Sequence, residues 1–186
     1  MINKTTKRGF TLIETLVAVL LLATALAGPL TIASKSLTTA LVAKDQIIAF
    51  YLAQDAVEYV RFIRDSNQLA ANPNWLAGLD GTTNPHTNGG SASPNCTSAV
   101  GTNTCSVDSI NDTTATCNGA VCGPILYDSG VNYFRSAGTV PPSYARTISI
   151  STISATEAKL MITVSWSDIA GQTRQITVYE SLFNWI

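Results

Sequence analysis

The sequence predicts an α+β fold, with a long N-terminal helix, hydrophobic and then amphipathic, packed on a C-terminal antiparallel β-sheet. Three observations predict it. An apolar run extends from Phe10 to Ser34 with Glu14 as its single charge. From Ala40 to Ser66 the apolar residues recur at helical spacing. From Thr147 to Tyr179 they alternate, as in strands with one buried face.

The first nine residues carry Lys4, Lys7 and Arg8 and no acid. A basic start before an apolar run has the form of an export or membrane signal, and the basic end stays on the cytoplasmic side. The 25 residues from Phe10 to Ser34 would span roughly 37 Å as a helix, enough to cross a bilayer core. Gly28-Pro29 should interrupt this helix, because proline removes a donor and clashes with the preceding turn. Past it, Ile48, Leu52, Ala56, Tyr59 and Ile63 form one stripe, and Gln54, Glu58, Arg61 and Asp65 form another. One continuous element from Phe10 to about Asn67 is the economical reading.

The middle of the chain changes character. Asn72-Pro73, Gly81, Asn84-Pro85, Asn88-Gly89-Gly90 and Ser93-Pro94 are closely spaced turn signals. This region reads as loop, with short strands near Val121–Tyr127. Trp75, Tyr127, Tyr133 and Phe134 read as core anchors or loop staples rather than as an adhesive surface. Four cysteines, Cys96, Cys105, Cys117 and Cys122, fall here. An even count in a loop-rich exported chain favours disulfides. Four cysteines allow three connectivities, and proximity favours Cys96–Cys105 and Cys117–Cys122. A structural zinc site would show a C-x2–4-C knuckle. None is present, and His86, the lone histidine, is ten residues from the nearest cysteine. No metal site and no cofactor are expected.

At the C-terminal end, Ile148 and Ile150 share one face, as do Leu160, Ile162, Val164 and Trp166, then Ile176 and Val178. Asp168-Ile169-Ala170-Gly171 supplies a turn with glycine where a positive φ is wanted. Three antiparallel strands result, and the amphipathic half of the helix is the cover that their apolar face needs. The segments are then residues 1–9, a leader; 10–34, the apolar half of the helix; 35–67, its amphipathic half; 68–143, a loop-rich disulfide region; and 144–186, the sheet.

Composition restricts the function. A formal net charge of −1 gives no polycation to hold nucleic acid as a direct ligand. Nucleophilic catalysis needs a base beside the nucleophile. The chain has one histidine, no G-x-S-x-G and no metal-ligand cluster. Asp55 and Glu58 lie at i,i+3 among Arg61 and Arg64, and read as a solvated or subunit-contact face. The chain is not expected to be an enzyme. An ordinary signal peptide is another reading of the start, since Ala25-Leu26-Ala27 has a small-x-small form that would release a chain from Gly28. Glu14 in the apolar core argues against it.

Gly9-Phe10-Thr11-Leu12-Ile13-Glu14, behind a short basic leader and ahead of a long apolar helix, resembles the processing site of type IV pilins and type II secretion pseudopilins. The segment Gln54–Arg61 and the Trp166…Gly171…Arg174 ending resemble minor pilins. The resemblance implies a pilin-like fold and a structural filament subunit, with a secretion pseudopilin as the alternative. It implies cleavage by prepilin peptidase after Gly9 and N-methylation of Phe10 as the new N-terminus. Glu14 would pair with the terminal amine of a neighbouring subunit and set register, which explains a carboxylate placed where lipid makes it costly. Gly28 and Pro29 would form a helix break that stretches on assembly. The implied partners are prepilin peptidase, other pilin subunits, an inner-membrane assembly platform and the lipid bilayer. The implied location is the inner membrane, single-pass with the N-terminus inside, and then an extracellular filament.

Overall fold

The structure is a computed structural model that describes residues 9–117, 122–130, 133–135, 140–169 and 171–185, without the side chains of 135 and 140–143. Lys4, Lys7, Arg8, Val121 and Ala170 lie outside the described residues. The chain divides into two compact units, Met1–Ala43 and Lys44–Ile186. Helix α1, Leu12–Leu69, is the first element.

In the first unit, every described residue from Gly9 to Leu41 is exposed. Most of the hydroxyls are nonetheless satisfied within the helix. Thr24 Oγ1 donates to the Leu20 and Leu21 carbonyls at 3.1 and 3.0 Å, and Thr31 Oγ1 to the Gly28 carbonyl at 2.7 Å. Ser34, Thr38 and Thr39 do the same to the Thr31, Ser34 and Lys35 carbonyls. Such back-bonding lets a hydroxyl sit in an apolar medium. Helix α1 runs through Gly28 and Pro29, so no melted turn separates its two halves there. Proline deletes only the donor that would meet the carbonyl four residues earlier. The i→i−4 bonds on either side hold the helix together.

In the second unit, α1 buries Ala49, Leu52, Ala53, Ala56, Val57, Tyr59, Val60, Ile63 and Asn67. This is the predicted stripe, shifted by one residue at its start, where Ile48 is only partly buried. The helix ends in a double wrap of its last turn. Ala71 N donates to the Gln68 carbonyl and Asn72 N to the Asn67 carbonyl, both at 2.9 Å, with Ala71 at φ 52°. Asn67, 2% exposed, then anchors the following loop. Its amide donates to the Trp75 and Ala77 carbonyls at 3.2 and 2.9 Å, and its oxygen accepts from Asn84 Nδ2 at 2.8 Å. Trp75 is buried, and its indole donates to the Ala155 carbonyl at 3.2 Å.

Among the described residues the sheet has eight strands, the three expected at the C-terminal end and five more, of which Pro124–Asp128 falls where short strands near Val121–Tyr127 are expected. These are β1 Thr97–Ser98, β2 Cys105–Asp108, β3 Thr113–Thr116, β4 Pro124–Asp128, β5 Tyr133–Arg135, β6 Val140–Thr152, β7 Glu157–Ser167 and β8 Thr173–Phe183. Strands β6, β7 and β8 form the expected antiparallel meander, and Gly171 takes a φ of 76° in its last turn. The other edge of β6 is shared. Strand β4 pairs at Tyr144 and Ala145, β2 at Ile148, and β1, in parallel, at Ile150 and Ser151. Strands β3 and β5 extend β2 and β4. The loop-rich region is therefore stitched onto one long strand. Its disulfides are Cys96–Cys105, with Cα atoms 5.4 Å apart, and Cys117–Cys122, with Cα atoms 4.4 Å apart. Cys96 and Cys105 are fully buried and clasp the starts of β1 and β2 against β6.

Candidate functional site

The sequence points to the helix start, and the structure shows how it is presented. Gly9, Phe10 and Thr11 precede the first helical residue. Phe10 is 81% exposed, and no atom lies within 4 Å of the position a Cβ on Gly9 would take. Thr11 is the helix N-cap. Its carbonyl accepts from Glu14 N at 3.1 Å and Thr15 N at 3.2 Å, and its hydroxyl makes a long contact of 3.4 Å with Glu14 N. Thr11-Leu12-Ile13-Glu14 is thus a threonine cap with an acid at the third helical position, which also suits the positive end of the helix dipole. The Gly9–Phe10 peptide is non-helical and open. Phe10 lies outside α1, so Phe10 and Glu14 do not share a helical face. The helix behind this cap is long and apolar enough to cross a membrane.

A second constellation lies in the sheet-bearing unit, and sequence reasoning missed it. Asp55 was expected on a solvated face with Glu58; its carboxylate is instead the centre of a polar cluster. It accepts from Arg146 Nη1 at 2.5 Å, from Ser109 Oγ at 2.8 Å and from Tyr133 Oη at 2.6 Å. Arg146 is 2% exposed and also donates to the Leu52 and Val107 carbonyls at 2.7 and 2.6 Å. One guanidinium thereby ties α1, β2 and β6 together. Burial raises the Tyr133 pKa first, and its bond to Asp55 adds to this. A sequence signal existed. Arg146 takes an inward position in the alternation Tyr144, Arg146, Ile148, Ile150, and a buried arginine demands a carboxylate.

The flank of α1 carries a looser pair. Arg61 bonds Glu180 at 2.5 Å and Glu58 at 3.0 Å, and the bond to Glu180 holds its guanidinium charged. Tyr127, Phe134 and Tyr144 stack edge to face, with ring centroids 5.3 and 5.5 Å apart, as staples of β4 and β5 onto β6. His86 lies against Phe62, with ring centroids 5.7 Å apart. Among the described residues no group of three or more His, Cys, Asp or Glu side chains stands close enough to hold a metal.

Residues 4–28 match the family model of the prokaryotic N-terminal methylation motif. No curated protein and no solved structure matches the chain. The motif, the long apolar helix and the mostly antiparallel sheet are consistent with the type IV pilin-like family. The motif implies prepilin peptidase processing and assembly with pilin-type subunits in general, and the apolar helix behind it suits a membrane anchor.

Proposed function

We propose that the chain is a structural subunit of a type IV pilus, of the low-abundance kind. The leader of residues 1–9 holds the precursor with its N-terminus inside the inner membrane until prepilin peptidase cuts after Gly9. Phe10 is then N-methylated. Removing the leader frees the amine and leaves Glu14 four residues into the mature chain. In the bilayer a lone carboxylate is costly. A neighbouring subunit's terminal ammonium offsets that cost at one axial position only, so the pair sets register as the subunit enters the filament. Gly28-Pro29 is the place where α1 yields if it lengthens on assembly, since Pro29 leaves one carbonyl without its helical donor. The sheet-bearing unit faces outward and carries the contacts particular to this subunit. The protein performs no chemistry and is itself a substrate.

The observation that carries this reading is the register of Gly9, Phe10 and Glu14 behind three basic residues, inside the matched segment 4–28. Intact mass and N-terminal sequencing of the protein from its native host test it. A chain beginning with N-methyl-Phe10 is the expected result. A chain beginning at Gly28 would make it an ordinary secreted protein and would remove any role for Glu14.

A further inference from the structure

Among the described residues, strand β8 forms an open edge of the sheet, pairing only with β7. It is 11 residues long, pairs with β7 in unbroken register, and holds no proline or lysine. Sheet edges are ordinarily kept short, bulged or charged, because a long regular one is a template for another strand. Beside this edge lies a groove of about 660 Å³ lined by Ile47, Phe50 and Tyr51 of α1 and Ile176 and Val178 of β8. The three α1 side chains are more than half exposed.

The backbone phase can be read from the ends of the β7–β8 ladder. Asp168 N donates to the Gln172 carbonyl and Asn184 N to the Thr156 carbonyl, both at 2.9 Å. Even-numbered residues therefore turn their backbone toward β7, and Thr173, Gln175, Thr177, Tyr179 and Ser181 turn theirs to the free edge. The edge is also complementary to itself. In an antiparallel pair with a two-fold axis at Thr177, Arg174 falls opposite Glu180 of the second copy, and Ile176 falls opposite Val178. Both are non-hydrogen-bonded positions, where opposing side chains come closest. Thr177 meets Thr177, and Gln175 meets Tyr179, at the hydrogen-bonded positions. Arg174 already bonds Asp168 at 2.9 Å, so the cross-strand contact would join that pair to the Glu180–Arg61 pair of the second copy.

We propose that β8 is a self-pairing edge that takes β8 of a second copy of this chain, closing over the Ile176–Val178 groove. The pairing does not rest on the filament reading above. The contact is small and weak alone.

The test is disulfide trapping of the purified full chain in detergent micelles. Thr177→Cys should give a covalent dimer on oxidation, because opposed hydrogen-bonded residues lie within disulfide reach. Ser165→Cys, on the same sheet face of β7 but away from the edge, should not. Adding Arg174→Glu to Thr177→Cys should lower the dimer yield several-fold. Gln175→Cys mixed with Tyr179→Cys should cross-link where each alone does not, which fixes the register without altering Thr177. Equal yields from the 165 and 177 cysteines, or a yield that Arg174→Glu leaves unchanged, would overturn the proposal. These readouts need no processing at Gly9, so they fail or succeed independently of the N-terminal sequence.

Discussion

The Arg146 guanidinium meets the Asp55 carboxylate at 2.5 Å, although the two residues stand 91 positions apart in the chain. The arginine is buried and the aspartate retains a little exposure. A buried charge stripped of its partner is far costlier than the intact pair is favourable. Asp55→Asn should therefore destabilise the sheet-bearing unit by about 3 kcal/mol. Arg146→Lys should also lose stability, because one ammonium on a flexible stem cannot serve the carboxylate and two backbone carbonyls in fixed directions. Denaturant titration followed by near-ultraviolet circular dichroism of the full chain checks both. Unchanged midpoints would show that the cluster is ornamental.

Three tyrosines give the fold an alkaline limit. Burial raises the pKa of Tyr59, Tyr144 and Tyr133 above the ordinary 10, and nearby Asp112 and Asp108, Asp45, and Asp55 respectively add to it. Below that value both folded and unfolded chains keep these protons. Above it the unfolded chain sheds protons that the folded chain retains, so stability is lost as pH rises. Tyrosinate absorbance should show part of the tyrosines titrating normally and the rest appearing only with unfolding. A single ordinary titration of all six would contradict the burial.

The two disulfides should differ in weight. Cys96–Cys105 spans nine positions and is fully buried against β6, whereas Cys117–Cys122 spans five. Loop entropy alone gives about 3 kcal/mol for the first and about 2 kcal/mol for the second. Replacing Cys96 and Cys105 by alanine also opens space in the core, so their loss should lower the thermal midpoint more. Calorimetry of the two double variants decides the order.

At the helix start, Glu14→Ala should leave cleavage after Gly9 intact and impair entry into filaments. Glu14→Gln separates charge from hydrogen bonding. If it assembles normally, the partner is not an ammonium. Normal filaments containing Glu14→Ala would refute the register role altogether.

The sequence by itself determined the elements whose pattern repeats along the chain. Leu52, Ala56, Tyr59 and Ile63 announce a helix face because 3.6-residue periodicity is local. Leu160, Ile162, Val164 and Trp166 announce a strand face for the same reason, with period 2. Gly9, Phe10 and Glu14 were legible because the matched methylation motif lies within one short stretch. Proline's intrinsic preference at position 29 was legible too, and a single missing donor did not end the helix around it.

Only the tertiary structure decided what depends on contacts distant in sequence. Strands β1 to β5 are two to five residues long; apart from β4, which falls where short strands were expected, they depend on the edge that β6 gives β1 and β2 and on the edges that β2 and β4 give β3 and β5. Asp55 looked like one more charge beside Glu58 and Arg61. Its partners Ser109, Tyr133 and Arg146 come from β6 and from the loop-rich region. The self-complementary edge of β8 likewise emerges only once the ladder shows which backbone groups are left free. A periodic pattern reports which face is buried. It does not report what that face is buried against, and the energy of a buried charge is set by its partner.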